Sequence, residues 1–446
     1  MEDILKPVGE KVLQAAQAKG VAAEAFLLHE KELSIEVING QVETLKQAGE
    51  MGLGVRIINN GRLGFAYSSD LSDQAVQETV NDAIKISAYT DSDEFNIFPT
   101  AAASYPKMNI IDNDISQMTL EEKIEMAREV EHIARAYDKR VSIIERSGYD
   151  DNEYTALIMN TNGLYACERG NSCGLYIFLV AEENADAQNG FSMMINKKIK
   201  DLNPSLVGKE AGYRAVRSLQ ARKIKSARIP CILEPYVTTR FMGLLAQMVD
   251  AESVQKGKSM FAGKVGDPVA ASVFNLVDDA TYKDGIGSFP FDGEGVPARR
   301  NAIIKNGILQ GFLYDTYSAQ KDGQQSTANA VRGSFRSLPY IGTTNFIIEP
   351  GHANPEQMIG DLEKGFYITE VMGMHTANPI SGDFSVGAAG IMIENGEMTY
   401  PVRGVTIAGN LGSFFQDIET VGNDLRFYGG RAAPTVRLKS LSIAGE

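Results

Sequence analysis

The sequence predicts an α+β protein in two parts: an N-terminal α/β half with antiparallel hairpins and long helices, and a C-terminal half rich in strands. Three observations predict it. The chain has 446 residues, more than one hydrophobic core normally serves, so two domains are expected. Its first half switches between helical spacing of apolar residues and strict alternation. Its second half is punctuated by glycines, Gly285, Gly287, Gly293 and Gly295 among them, which suits strands joined by tight corners.

The elements follow in order. Ile4, Leu5, Val8, Val12, Leu13 and Ala16 recur at helical spacing, and Gly20 ends that helix. Phe26, Leu28, Leu33, Ile35, Val37 and Val42 then alternate around Asn39-Gly40, a hairpin signal. A second hairpin turns at Asn59-Asn60-Gly61. Ser72 is placed to cap a helix running to about residue 88. Residues 90–115 read as irregular. Thr119-Leu-Glu-Glu122 reads as a capping box opening a helix to Tyr137, with His132 a surface residue beside its apolar stripe. Short strands are expected at 141–144, 155–159, 175–180 and 191–195. Asn203-Pro204 opens a helix to about Arg222. The polar link Lys223–Arg228 marks the expected boundary, giving domains 1–225 and 226–446. Beyond it, Glu234-Pro235 opens a helix over 236–251, and Asn354-Pro355 opens another that Gly365 closes.

Composition excludes several classes. Forty-three Lys and Arg against 57 Asp and Glu leave a net charge of −14, the wrong sign for direct nucleic-acid binding. Three cysteines, Cys167, Cys173 and Cys231, match neither a disulfide framework nor a zinc knuckle. The start Met-Glu-Asp has acid where a signal peptide has base, and no long apolar segment follows. A cytoplasmic protein without membrane contact is expected.

Three segments carry candidate chemistry. In Phe291-Asp-Gly-Glu-Gly-Val-Pro-Ala-Arg-Arg300, Asp292 and Glu294 could hold a cation or act as acid and base, or be turn residues paired with Arg299 and Arg300. The structural reading is favoured, because no third ligand is visible. The polar stretch Asp315–Asn329 includes Tyr317, Ser318, Lys321, Ser326 and Thr327; such a loop is more often functional than a short one. Ser318 and Lys321 form a weak Ser-x-x-Lys match. Residues 373–412 hold His375, one of four histidines, with Asn378, Ser381, Asp383 and Ser385. A neutral His375 bonded to Asp383 would make a general base; the competing reading is that Asn378, Ser381 and Asp383 satisfy backbone in sharp turns. The candidate catalytic pair is therefore His375 and Asp383, and the candidate substrate-binding residues are Asn378, Ser381, Lys321 and Asn329. No metal set is expected: His29, His132, His352 and His375 are scattered, and no HExxH or HExxxH occurs.

Several runs together are distinctive. They are Asn39-Gly-Gln-Val-Glu43, Gly52-Leu-Gly-Val-Arg56, Asn60-Gly-Arg-Leu-Gly-Phe-Ala66, Met159-Asn-Thr-Asn-Gly163, Phe291-Asp-Gly-Glu-Gly-Val-Pro297, Ser326-Thr-Ala-Asn329, Ser381-Gly-Asp-Phe-Ser385 and Ile407-Ala-Gly-Asn-Leu411. They resemble the TldD/PmbA family over nearly the whole chain, in its PmbA (TldE) branch. The resemblance implies an α/β N-terminal half, a β-rich C-terminal half and work on peptides. It also implies that the TldD branch carries a zinc-binding HExxxH on a helix corresponding roughly to Tyr236–Ala251, where this sequence has no histidine.

The reading that follows is a cytosolic subunit without zinc ligands, paired with a TldD-type metallopeptidase subunit or with itself. Its expected substrates are unfolded peptides recognised by backbone strand pairing, with zinc, activated water and glutamate base in the partner. The family label "modulator of DNA gyrase" gains no support from so acidic a chain. Two alternatives are a stand-alone hydrolase using His375, Asp383, Asp292 and Glu294, and a non-enzymatic dimeric peptide-binding protein.

Overall fold

A computed structural model describes all of residues 1–446. The first half contains α1 (Glu2–Ala18), β1 (Ala22–Ile38), β2 (Gln41–Asn59), β3 (Arg62–Ser68), α2 (Asp73–Ser87), α3 (Asn113–Gln117), α4 (Leu120–Tyr137), β4 (Val141–Asn160), β5 (Tyr165–Glu183), β6 (Asp186–Asn196) and α5 (Pro204–Val216). The six strands form one antiparallel sheet in the order β3-β2-β1-β4-β5-β6. The expected turns form: Asn39 and Gly40, and Asn60 and Gly61, all take positive φ, the geometry of a tight hairpin.

The strands are far longer than expected. β4 runs unbroken over 20 residues and β5 over 19, where short pieces at 141–144, 155–159 and 175–180 were predicted. The polar run 145–154 hides the continuity. Alternate residues of β4 pack under α4, with Ser147 donating to the Ala127 carbonyl and Tyr149 in the core, while their neighbours face outward.

All the long helices of this half cover one face of the sheet. α1 and α2 lie over one end, on Ala25, Leu27, Leu53, Val55 and Leu157. α4 and α5 lie over the other, on Ile35, Val37, Leu175 and Ile177. Each such fully buried Leu, Ile or Val side chain contributes about 1.5–3 kcal/mol through apolar burial. The helix starts are those predicted: Ser72 caps α2, Thr119 and Glu122 form the reciprocal box of α4, and Asn203 caps α5 ahead of Pro204. α5 ends at Val216 rather than near Arg222, because Gln220 turns to positive φ.

The second half contains β7 (Ala227–Leu233), α6 (Pro235–Met248), α7 (Ala251–Gln255), β8 (Leu276–Asp279), β9 (Arg300–Lys305), β10 (Ile308–Leu309), α8 (Thr316–Lys321), β11 (Ala330–Val331), β12 (Tyr340–Ile341), β13 (Phe346–Ile348), α9 (Pro355–Gly360), β14 (Lys364–Met372), β15 (Asp383–Glu394), β16 (Glu397–Asn410), α10 (Leu411–Gln416), β17 (Ile418–Val421), β18 (Arg426–Tyr428), β19 (Arg431–Ala433) and β20 (Val436–Ala444). β16, β15, β14, β7 and β20 close into a ring, because β20 also pairs with β16. A second sheet runs β10-β9-β8-β13-β19-β18, and β11 and β12 form a separate ribbon. Both larger sheets share one core, in which α6 buries Val237, Phe241, Met242, Leu245 and Met248. Gly365 does not close a helix as expected. It lies in β14, opposite Ile393; α9 stops at Gly360, and the pull of a paired strand overrides the helical spacing.

The helix-free face of the first sheet receives the second half. Phe26, Ala156, Ile158, Leu164 and Ala166 pack there with Phe291 and Phe335.

Candidate functional site

The meeting of the two halves is built on β2. Leu53, Val55 and Ile57 point to the helices, so Gly52, Gly54 and Arg56 point to the second half. A Cβ on Gly52 would lie 2.2 Å from the Phe335 ring, and one on Gly54 would lie 2.4 Å from the Phe335 carbonyl oxygen. The two glycines therefore open a trough that Phe335 fills.

Arg56 stands at the end of that trough and is buried. Its Nε and Nη2 donate to the two oxygens of Glu24 on β1 at 2.8 and 2.7 Å. Its Nη1 and Nη2 both reach Oε1 of Glu294 at 3.0 Å. Arg332 pairs with Glu24 from the other side and donates to the Gly293 carbonyl at 2.6 Å. Burial pushes the Glu294 carboxyl up, but the charge of Arg56 and the hydrogen bond from the Thr316 N–H bring it below its usual range. Asp292 next to it goes the other way. Burial and the neighbouring Glu294 raise it, against N–H donors from Glu294, Val296 and Ala330. The predicted pairing of these carboxylates with Arg299 and Arg300 is not what forms. Glu294 pairs with Arg56, 238 positions away, and Arg300 pairs with Glu349.

Above Arg56 and Glu294 opens a cleft of about 530 Å³ between the halves. Phe65, Ile97, Leu338 and Tyr340 wall it, and Asp93, Glu252, Asp315 and Tyr317 supply polar groups. The Tyr317 hydroxyl donates to Asp93 Oδ2 at 2.7 Å. That bond to a carboxylate, with burial, pushes the phenol up to about 12. Asp315 caps α8 through the Ser318 N–H at 2.8 Å, and burial raises its carboxyl.

The residues singled out in the sequence fall in three separate places. His375, Asn378, Ser381 and Asp383 lie exposed on the connection from β14 to β15. Asn378 Oδ1 accepts the N–H groups of Ile380 and Ser381 at 2.8 and 3.3 Å, and Asp383 Oδ1 accepts from Asn410 Nδ2 at 3.0 Å. Asp383 is thus engaged with Asn410 rather than with His375. Asn329 is fully buried and donates to Asp278 Oδ1 at 2.8 Å and to the Gly342 carbonyl at 2.9 Å, so it clamps a turn. Lys321 holds its Nζ 5.3 Å from the ring centre of Tyr317, and Tyr317 lines the cleft. Ser318 is buried and donates to Asp315 at 2.6 Å, not toward Lys321, so the Ser-x-x-Lys pair does not assemble. Sequence reasoning missed Glu24, Arg56 and Arg332. The signal present was the alternation Gly52-Leu-Gly-Val-Arg56, which puts glycines and a charge on one face of a strand whose other face is core.

Comparison with known proteins bears on the whole chain. Three family models match in succession: PmbA/TldA metallopeptidase domain 1 over residues 23–87, the central domain over 113–219 and the C-terminal domain over 226–445. The metalloprotease PmbA of Escherichia coli O157:H7 is 30% identical across 99% of this chain and 96% of its own length. The chain belongs to the PmbA/TldD family. Its relatives in that family include a metalloprotease TldD homologue of Haemophilus influenzae, 28% identical over 84% of this chain and 80% of that one. A Thermotoga maritima crystal structure described as a modulator of DNA gyrase superposes with a TM-score of 0.92 at 28% identity, covering 99% of this chain and all of the other. TldE of Thermococcus kodakarensis shares the fold, with a TM-score of 0.90 at 23% identity over 98% of this chain and all of its own. In this PmbA/TldD chain no helix is long and apolar enough to cross a membrane.

Proposed function

We propose that this chain is the PmbA (TldE)-type subunit of a two-chain metallopeptidase acting on unfolded peptides. A TldD-type partner would supply the zinc, the activated water and the glutamate base. The observation that carries the reading is α6, in the region where the TldD branch is expected to carry HExxxH. From Pro235 to Val249 there is no histidine, cysteine, aspartate or glutamate. The hydroxyls of Thr238 and Thr239 are already donated to the Glu234 and Tyr236 carbonyls. A catalytic zinc takes three protein ligands, and His, Cys, Asp and Glu side chains nowhere gather in threes as a metal-holding group. The side chains of this helix therefore offer zinc no ligand set, and the reading puts the metal in the partner.

Two further findings support the reading. Relatives named for both the PmbA and the TldD branch match this chain over most of their length, as subunits descended from one fold would. The three cysteines are free, which suits a reducing cytoplasm.

The test is co-expression with a TldD-type chain from the same genome, followed by co-purification, zinc analysis and a peptidase assay on an unfolded peptide. A stable pair that cleaves, with zinc assigned to the partner, is expected. A full equivalent of zinc in the isolated chain, together with peptide hydrolysis by it alone, would overturn the reading.

A further inference from the structure

We infer that the cleft above Arg56 holds the N-terminal ammonium of an extended peptide, with the peptide's first side chain laid against the apolar wall. The inference rests on the reading of this chain as a peptide-handling subunit and places one end of the peptide.

Charge complementarity selects the occupant. Five carboxylates line the cleft, Asp91, Asp93, Glu252, Glu294 and Asp315, and Arg56 is its one lining cation. Arg56 is spent: its donors go to Glu24 and Glu294 at its floor. Asp93, Glu252 and Asp315 line the same cleft as Tyr317, whose hydroxyl donates to Asp93. The Lys321 ammonium lies over the Tyr317 ring and helps lower the Asp93 carboxyl, after the hydrogen bonds from Tyr317 and the Phe95 N–H. Lys321 forms no ion pair; Glu294 and Glu252 are paired with Arg56 and Lys256, which leaves Asp91, Asp93 and Asp315 without a cationic partner.

The walls choose an N-terminus over a lysine side chain. Phe65, Ile97, Leu338 and Tyr340 line the same space as the carboxylates. Ile97, Leu338 and Tyr340 are 38%, 39% and 55% exposed, large apolar side chains left uncovered. An α-ammonium brings its own first side chain to such a wall. A lysine ammonium brings only its own unbranched methylene stem, which covers less of such a wall than a branched or aromatic first side chain does. The volume, about 530 Å³, lies inside the range of about 300–1,000 Å³ typical of small-ligand sites. The rest of the chain can leave along β12, which has a partner strand on one side only.

The probe is a hexapeptide that begins with leucine and carries a fluorophore at its C-terminus, titrated by anisotropy with the full-length chain at pH 7. Two companions are the N-acetylated peptide and an N-acetylated peptide with one interior lysine. Binding of the free-amine peptide is expected to exceed that of both by about tenfold or more, the worth of a charge-assisted hydrogen bond. The variant Asp93→Asn with Glu252→Gln should bring all three to the same affinity with an unchanged melting curve. Asparagine still accepts the Tyr317 hydroxyl, and Glu252 otherwise pairs only with exposed Lys256. Three results would each overturn the inference: no binding of any peptide, equal binding of free and acetylated forms, or discrimination that survives in the double variant. Equal binding of the lysine peptide would assign the cleft to side-chain amines instead. The outcomes separate from those for the proposed function. A pair that cleaves peptides while the cleft ignores acetylation sinks only the inference. Discrimination without any activity of the pair sinks only the two-chain reading.

Discussion

Arg56 and Glu294 stand 238 positions apart in sequence and 3.0 Å apart in space, and their contact ties the two halves of the chain together. Both side chains are almost completely buried, and Glu24 and Arg332 complete the charge balance around them.

Removing one member of such a set leaves the others as uncompensated buried charges. Arg56→Ala is expected to cost about 3–5 kcal/mol, read as a lower urea midpoint at unchanged slope. A loss under about 1 kcal/mol would show that water or a rearranged Arg332 replaces the contact easily.

Glu168 gives a pH signature. Burial raises its carboxyl to about 8, with Lys197 opposing. A carboxyl whose folded pKa exceeds its unfolded value near 4.3 binds more protons when folded. Its contribution is therefore present at low pH and is lost as pH rises from about 4 to about 8. Lys197 is lowered to about 8 by burial, so its own linkage acts above that window and with the opposite slope. In Glu168→Gln, melting temperature should fall less between pH 5 and 8 than in the parent. Parallel curves for the two proteins would refute the assignment.

Gly64 on β3 lies against α2. An added Cβ would sit 1.9 Å from the Ala83 carbonyl oxygen and 2.8 Å from the Ser87 nitrogen, both backbone atoms. Gly64→Ala must push the helix away and should cost about 1–3 kcal/mol, as overpacking does. Gly163, at a turn, meets nothing within 4 Å and serves as the comparison for crowding, although its positive φ adds backbone strain of its own. A melting temperature unchanged in Gly64→Ala would contradict the close packing.

His375 follows Gly373 on the exposed connection between β14 and β15, and no side-chain hydrogen bond restrains it. His375→Ala should leave melting unchanged and lower the peptidase activity of the reconstituted pair. Asp383→Asn should change neither much, because its bond to Asn410 is solvent-exposed. Full activity of the pair with His375→Ala would remove this histidine from the site.

Local signals carried the first half well. Asn-Gly hairpins and Ser, Thr and Asn caps act within a few residues, so Asn39, Ser72, Thr119 and Asn203 could be read directly. Continuity of β4 and β5 was not legible, since their middle residues are polar on the face that solvent reaches. The site was hardest. Asp292 and Glu294 stood out as a pair, but the partner of Glu294 is set by the docking of one half on the other, which no spacing encodes. The Asn378 turn was legible for the same reason as the caps: its side chain serves the backbone two and three residues on.

The ring in the second half has a consequence for how the chain comes into being. β7 is made early, yet its neighbours are β14, whose pairing begins at residue 366, and β20, whose pairing ends at residue 443. The first sheet, by contrast, has all its strands by residue 196. On the ribosome the first half can therefore complete its hydrogen-bonded sheet while the second is still being translated. β7 and β16 must wait with open edges until β20 emerges. A message cut short before residue 436 would release a protein with a finished first half and two exposed strand edges, a form prone to aggregation and a ready substrate for cellular quality control.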